Sequence, residues 1–199
     1  MRCLPLSILL CSLCLSGCIS DLWTGANLVY DRHNVYIKID DFKLNADANR
    51  ALYHDRVFKR DDCSIELAVL NRDILLVGRV PTETLRQEAY TRIKNVPGKR
   101  RLFNQLAVNH TAEDPVLDSW ITAKIRSQIF ADADIDPHKF KVLTYAQIVY
   151  LMGDVVPSQA EKVIHFARKC RSVLRVVKLF KYYHLSDKPV MQDTKNPSI

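Results

Sequence analysis

The chain has 199 residues, 29 Lys and Arg against 22 Asp and Glu, and a net charge of +7. That length holds one ordinary domain or two small ones, each with a modest core, and excludes anything larger. The positive balance points to anionic partners.

Arg2 is followed by an apolar run over 4–17. The run is too short for a membrane span of ~20 residues, and its charged start and small-residue exit mark an export signal. Its last residues, Leu15-Ser16-Gly17-Cys18, resemble the bacterial lipobox. That resemblance implies cleavage before Cys18 and acylation of its thiol and new amino group, so that Cys18 becomes the first residue of a lipoprotein. An ordinary signal peptide containing Cys18 is the alternative. Removing 1–17 also removes Cys3, Cys11 and Cys14, and with them an apparent redox motif, leaving Cys63 and Cys170 as body thiols. We expect both to be buried and unpaired. Residues 18–40 show no sustained helical period and read as a lipidated tether, in which Trp23 meets either the lipid interface or water.

The body contains an internal repeat. Gly78 within Leu76-Val77-Gly78-Arg79-Val80 matches Gly153 within Leu151-Met152-Gly153-Asp154-Val155. Each glycine closes an apolar strand pattern, and an earlier strand (65–70, then 140–144) precedes it across three residues, as in a hairpin. Upstream lies a helix with apolar residues four apart: Leu44, Ala48 and Leu52 in the first copy, Ile121, Ile125 and Ile129 in the second. Downstream come a second helix (83–94, then 158–170) and a last strand (102–108, then 173–183). Each copy therefore reads α-β-β-α-β, in an α+β fold.

This order resembles the BON domain family. The residues that carry the resemblance are Leu76 to Val80, Asn95-Val96-Pro97-Gly98 and Leu102-Phe103-Asn104-Gln105-Leu106. The second copy departs from it, with Ser172 in place of Gly98 and Lys178 in place of Asn104. The match covers a first unit over 41–110 and a second over 115–185, followed by a tail, 186–199, that reads as disordered. With the lipobox in front, the whole resembles the dual-BON outer-membrane lipoproteins, most specifically at 118–128. The resemblance implies two helices on one face of a three-stranded mixed sheet in each unit. It also implies binding of anionic phospholipid by the second unit, and support of outer-membrane integrity. Ile19 after Cys18 is consistent, by resemblance to enteric lipoproteins, with the periplasmic face of the outer membrane.

The candidate site is the helix over 117–131, which at about 100° per residue carries two apolar stripes. Leu117, Ile121, Ile125 and Ile129 suit a domain core. Trp120, Ala123, Ser127 and Phe130 form a second stripe, with Lys124 and Arg126 on its rims. An apolar stripe rimmed by cations suits an interfacial helix, whose rings enter the acyl boundary while the cations meet phosphate. The aligned residues of the first copy, Lys43, Ala46, Arg50 and Tyr53, lack this character. Packing of Trp120 and Phe130 against the first unit or the tether is the other outcome. A basic run through Lys162, Arg168, Lys169, Arg171, Arg175, Lys178 and Lys181 adds positive charge, part of it simply a solvated face.

Other constellations fail. Asp132-Ala133-Asp134-Ile135-Asp136 begins like a calcium loop, but Pro137 replaces the required glycine and Leu143 the closing glutamate. The histidines show no ligand spacing, and no phosphate loop or nucleophile elbow is present. The expectation is a non-enzyme without cofactor or metal, whose partner is an anionic phospholipid membrane, not nucleic acid or a small-molecule substrate. A protein-interaction adaptor for an envelope or outer-membrane assembly complex is the alternative.

Overall fold

The computed structural model describes residues 32–108 and 113–183, the stretch 32–37 by backbone alone. The predicted leader, Cys18, most of the tether and the tail lie outside the described residues. The first repeat runs α1 (Arg32–Tyr53), β1 (Ser64–Leu70), β2 (Asp73–Val80), α2 (Glu83–Lys94) and β3 (Arg101–Val108). The second runs α3 (Pro115–Ala131), β4 (Phe140–Tyr145), β5 (Ile148–Val155), α4 (Pro157–Lys169) and β6 (Arg175–Tyr182), with a 3-10 turn at Pro137–Lys139 before β4. Each repeat is α+β, and the middle strand of its three-stranded mixed sheet pairs antiparallel with the first strand and parallel with the third. Among the described residues, no helix is long and apolar enough to cross a membrane.

Strand alternation decides the packing, because successive side chains leave opposite faces of a sheet. From β2, Ile74 and Leu76 join Leu44, Ala48 and Leu52 of α1 and Ala89 and Ile93 of α2 in the first core. Val149 and Leu151 of β5 do the same with Ile121, Ile125 and Ile129 of α3 and Val163 and Ala167 of α4. Both helices of a repeat thus cover one sheet face. The residues between them turn the other way: Leu75 and Val77 pack with Tyr150, Met152 and Leu179 in a third cluster that joins the two sheets. The middle strands are consequently buried on both faces, as their continuous apolar runs require.

Three expectations change. Residues 32–40, assigned to the tether, are the first part of α1, whose polar opening turns gave no apolar period. The hairpin connections contain two residues, not three: Asn71 and Arg72 have φ of 50° and 62°, Ala146 and Gln147 of 49° and 61°. Positive φ at both central positions is the requirement of a type I′ turn, and neither pair carries the usual Asn-Gly chemistry that announces one. Cys63 and Cys170 are both free, but Cys63 is half-buried where burial was expected. The turn before β6 forms despite Ser172, with Leu174 N donating to Gln147 O at 2.9 Å as Arg100 N does to Arg72 O at 2.6 Å.

Candidate functional site

α3 starts two residues before its predicted first residue. Asp114 caps it by accepting from Leu117 N at 3.0 Å, and Pro115 occupies the first turn, where no amide donor is needed. One turn later the Asp118 carboxylate, buried beneath the helix, accepts from Ala146 N at 2.7 Å and Gln147 N at 2.8 Å. The helix is therefore latched to the β4–β5 turn, and Thr122 adds a bond to Thr144 at 2.8 Å. Beyond that latch Ile121, Ile125 and Ile129 bury completely or nearly so. The inward face is fully committed, and this fixes which residues face outward.

The outward face carries all six predicted site residues. Trp120 is 49% exposed and Phe130 62%, and Ala123, Lys124, Arg126 and Ser127 are exposed between and beside them. Lys124 Nζ sits 4.7 Å from the Trp120 ring centroid, a cation–π distance, and Ser127 Oγ donates to the Lys124 carbonyl at 2.8 Å. One member was missed: Val116, 81% exposed, extends the stripe by a turn toward the helix start. Its signal was present in the spacing, since 116, 120, 123, 127 and 130 alternate by four and three. It was lost because the helix was expected to begin at Leu117.

The face divides into two sides. A groove of about 670 Å³ runs between α3 and the strands β1 and β4, and Arg126, Phe130 and Ser119 line it opposite Ser64, Glu66 and Tyr145, whereas Trp120 and Lys124 lie outside it. Burial, followed by the charge of Asp118, raises the Glu66 carboxyl above its ordinary value despite Lys141 nearby. Glu113 is already engaged, because Arg79 and the Tyr145 hydroxyl both donate to it. Desolvation and the Glu113 contact together push the Tyr145 hydroxyl far up, so it stays protonated.

The first repeat provides an internal comparison through Asp41, which accepts from Asn71 N and Arg72 N, both at 2.7 Å, as Asp118 does in the second. At the positions equivalent to the stripe, Arg50 pairs with Asp47 at 3.1 Å and the Tyr53 hydroxyl donates to the Ile65 carbonyl at 2.9 Å. The first repeat exposes Phe42, 76% accessible, and Ile39, 57%, the latter at the position equivalent to Val116, but it carries no large, apolar, exposed ring at the positions of Trp120 and Phe130.

The basic run also resolves. Lys162 is held by Asp132 at 3.1 Å and Asp134 at 2.7 Å, so the calcium-like stretch is occupied by a lysine. Arg168, Lys169, Arg171, Lys178 and Lys181 are exposed, and Arg175 lies against the Tyr150 hydroxyl. Among the described residues no group of three His, Cys, Asp or Glu side chains is placed to hold a metal.

The BON domain family model matches residues 40–110 and 117–182. Outer membrane lipoprotein DolP of Haemophilus influenzae is 29% identical over 174 residues, spanning 84% of this chain and 90% of that protein. The 21 kDa hemolysin of Actinobacillus pleuropneumoniae is 27% identical over 154 residues, spanning 76% of this chain and 79% of its own length. Of solved structures, the C-terminal domain of CdsD, the structural protein of the type III secretion system of Chlamydia trachomatis, is 8% identical, covers 71% of this chain and 98% of its own, and has a TM-score of 0.29. A likeness that low carries no argument.

Proposed function

The chain belongs to the BON domain family, in two tandem copies, and on that premise we propose that it is a lipid-anchored envelope protein whose second repeat docks on anionic phospholipid through α3. The observation that carries this reading is the joint exposure of Trp120 and Phe130 on a helix face rimmed by Lys124 and Arg126. Two large rings left in water cost free energy that an acyl boundary returns, while the rim cations gain from lipid phosphates. Self-pairing through this face is disfavoured, because a two-fold axis places each cationic rim against its own copy.

The lipobox and the relative named an outer membrane lipoprotein support an anchor at Cys18 on the periplasmic face of the outer membrane, and a part in maintaining that membrane. Acylation raises the local concentration of lipid around α3, so a weak second contact suffices. The reading calls for no substrate turnover and no cofactor.

The test is co-sedimentation of the full chain carrying Cys18→Ser, and so no acyl anchor, with vesicles of phosphatidylcholine alone or mixed with phosphatidylglycerol. Trp120→Glu should weaken the anionic-vesicle binding at least about tenfold, since it removes roughly 2 kcal/mol of apolar burial and adds a repelled charge. Equal binding to both vesicle types, or an unaffected variant, would sink the proposal. The adaptor reading has its own support in the groove beside Arg126, whose mixed lining, with Phe130 and Leu143 beside Glu66 and Ser119, suits a protein segment. Pull-downs that retain an outer-membrane assembly partner in Trp120→Glu, alongside lost vesicle binding, separate the two.

A further inference from the structure

We infer that the loop joining α4 to β6, with Leu174 at its end between Arg171 and Arg175, is a second lipid-contact element on the membrane face begun by α3; this rests on the docking reading above. Leu174 is 75% exposed, more than Trp120 or Phe130. It is not a core side chain that slipped out, for its neighbour Val173 packs into the second core while the Leu174 amide is fixed on Gln147 O at 2.9 Å. The same Gln147 donates its own amide to Asp118 at 2.8 Å. Two hydrogen bonds through one residue therefore join the first turn of α3 to Leu174, and both stand at the same end of the repeat. Val116, 81% exposed, belongs to that same first turn.

The first repeat shows what this position does when it has another task. The backbone bond is repeated there by Arg100 N on Arg72 O, at 2.6 Å. The Arg100 guanidinium is committed to Asp73 at 2.6 Å and to Asp154, in the other repeat, at 2.7 Å. One copy of the fold thus uses the position as an inward charged clamp, and the other turns a leucine to water. Arg171 is exposed, as are Arg168 and Lys169 at the end of α4, and among the described residues no carboxylate pairs with them. An exposed apolar side chain amid unneutralised cations, linked through Gln147 to the first turn of α3, fits the surface of an anionic bilayer: leucine in the acyl boundary, arginines at the phosphates.

The experiment uses the same full chain with Cys18→Ser and the same two vesicle types, with Leu174→Ser, Arg171→Ser and Trp120→Glu compared with that parent. Leu174→Ser should weaken anionic-vesicle binding about tenfold and Arg171→Ser about fivefold, the latter from ~1 kcal/mol per surface cation. Both side chains are exposed, so the thermal transition should not move. Amide hydrogen exchange over 171–175 should slow when vesicles are added. If Trp120→Glu weakens binding while both loop variants bind like the parent and the loop exchanges at an unchanged rate, the inference is overturned and the α3 reading stands. If Trp120→Glu has no effect, the docking reading itself fails.

Discussion

At Gly78, β2 passes so close to β1 that a Cβ would lie 1.9 Å from the Ser64 carbonyl oxygen, and φ is +129°. At Gly153 a Cβ would lie 2.6 Å from the Lys139 carbonyl. The paired glycines that marked the repeat are thus steric requirements of the two hairpins, not parts of a ligand loop. Gly78→Ala should cost about 3 kcal/mol in urea unfolding, because strain at positive φ and backbone overlap add. Gly98→Ala, with φ of +84° but nothing within 4 Å, should cost only about 1 kcal/mol. Equal losses would contradict the close approach as the cause. The glycine pair was legible in the sequence because only glycine tolerates such contact. The carboxylates of Asp41 and Asp118 were not, since an aspartate near a helix start reads first as a cap.

Those two aspartates explain how elements without orthodox turn chemistry hold their shape. A type I′ turn built from Asn71 and Arg72, or from Ala146 and Gln147, places two non-glycine residues in the left-handed region, at about 1 kcal/mol each. In both repeats a carboxylate from the first helix takes both turn amides, offsetting that strain and, at Ala146, satisfying a donor that would otherwise be buried unpaired. Asp118→Ala should therefore destabilise the chain by about 2 to 3 kcal/mol. It should also speed amide exchange at Ala146 and Gln147 before the rest of β4 and β5 responds. Uniform exchange would mean that the latch is not local. The periodicity of apolar residues revealed every helix and strand, and α2 to the residue, because burial on one face imposes it. Periodicity is silent where no face is buried. That is why the polar opening of α1 carries no helical signal, and why Val116 lies outside the helix that the spacing predicts.

Contact between the repeats is the property that the pattern announced without identifying. The unbroken apolar runs of β2 and β5 demanded cover on both faces, but they could not say that each sheet is the other's cover. At the edge of that contact Asp73, almost wholly buried, accepts from Arg100 and Arg101, and Arg100 reaches across to Asp154. Burial alone would raise the Asp73 carboxyl, yet the two guanidiniums more than offset it and hold it below its ordinary 3.8. A carboxyl lowered in the native state binds protons more readily when unfolded. Its contribution is complete above 3.8 and disappears as pH falls through the lowered native value. Asp41 acts in the opposite sense. Burial raises it, so its share declines as pH rises, and the acid limb of stability draws on the inter-repeat clamp together with the other lowered carboxyls, Asp55, Asp62, Glu113 and Asp132, but not on Asp41. In urea unfolding across a pH series, Asp73→Asn should be the less stable protein at neutral pH and should lose less on acidification, so the two curves converge below 3.8. Arg100→Ala, which breaks the bridge to Asp154 as well, should cost about 2 kcal/mol, the partly exposed guanidinium keeping the loss below that of a fully buried pair. Parallel curves for Asp73→Asn and the parent would show that the clamp does not set the acid limb.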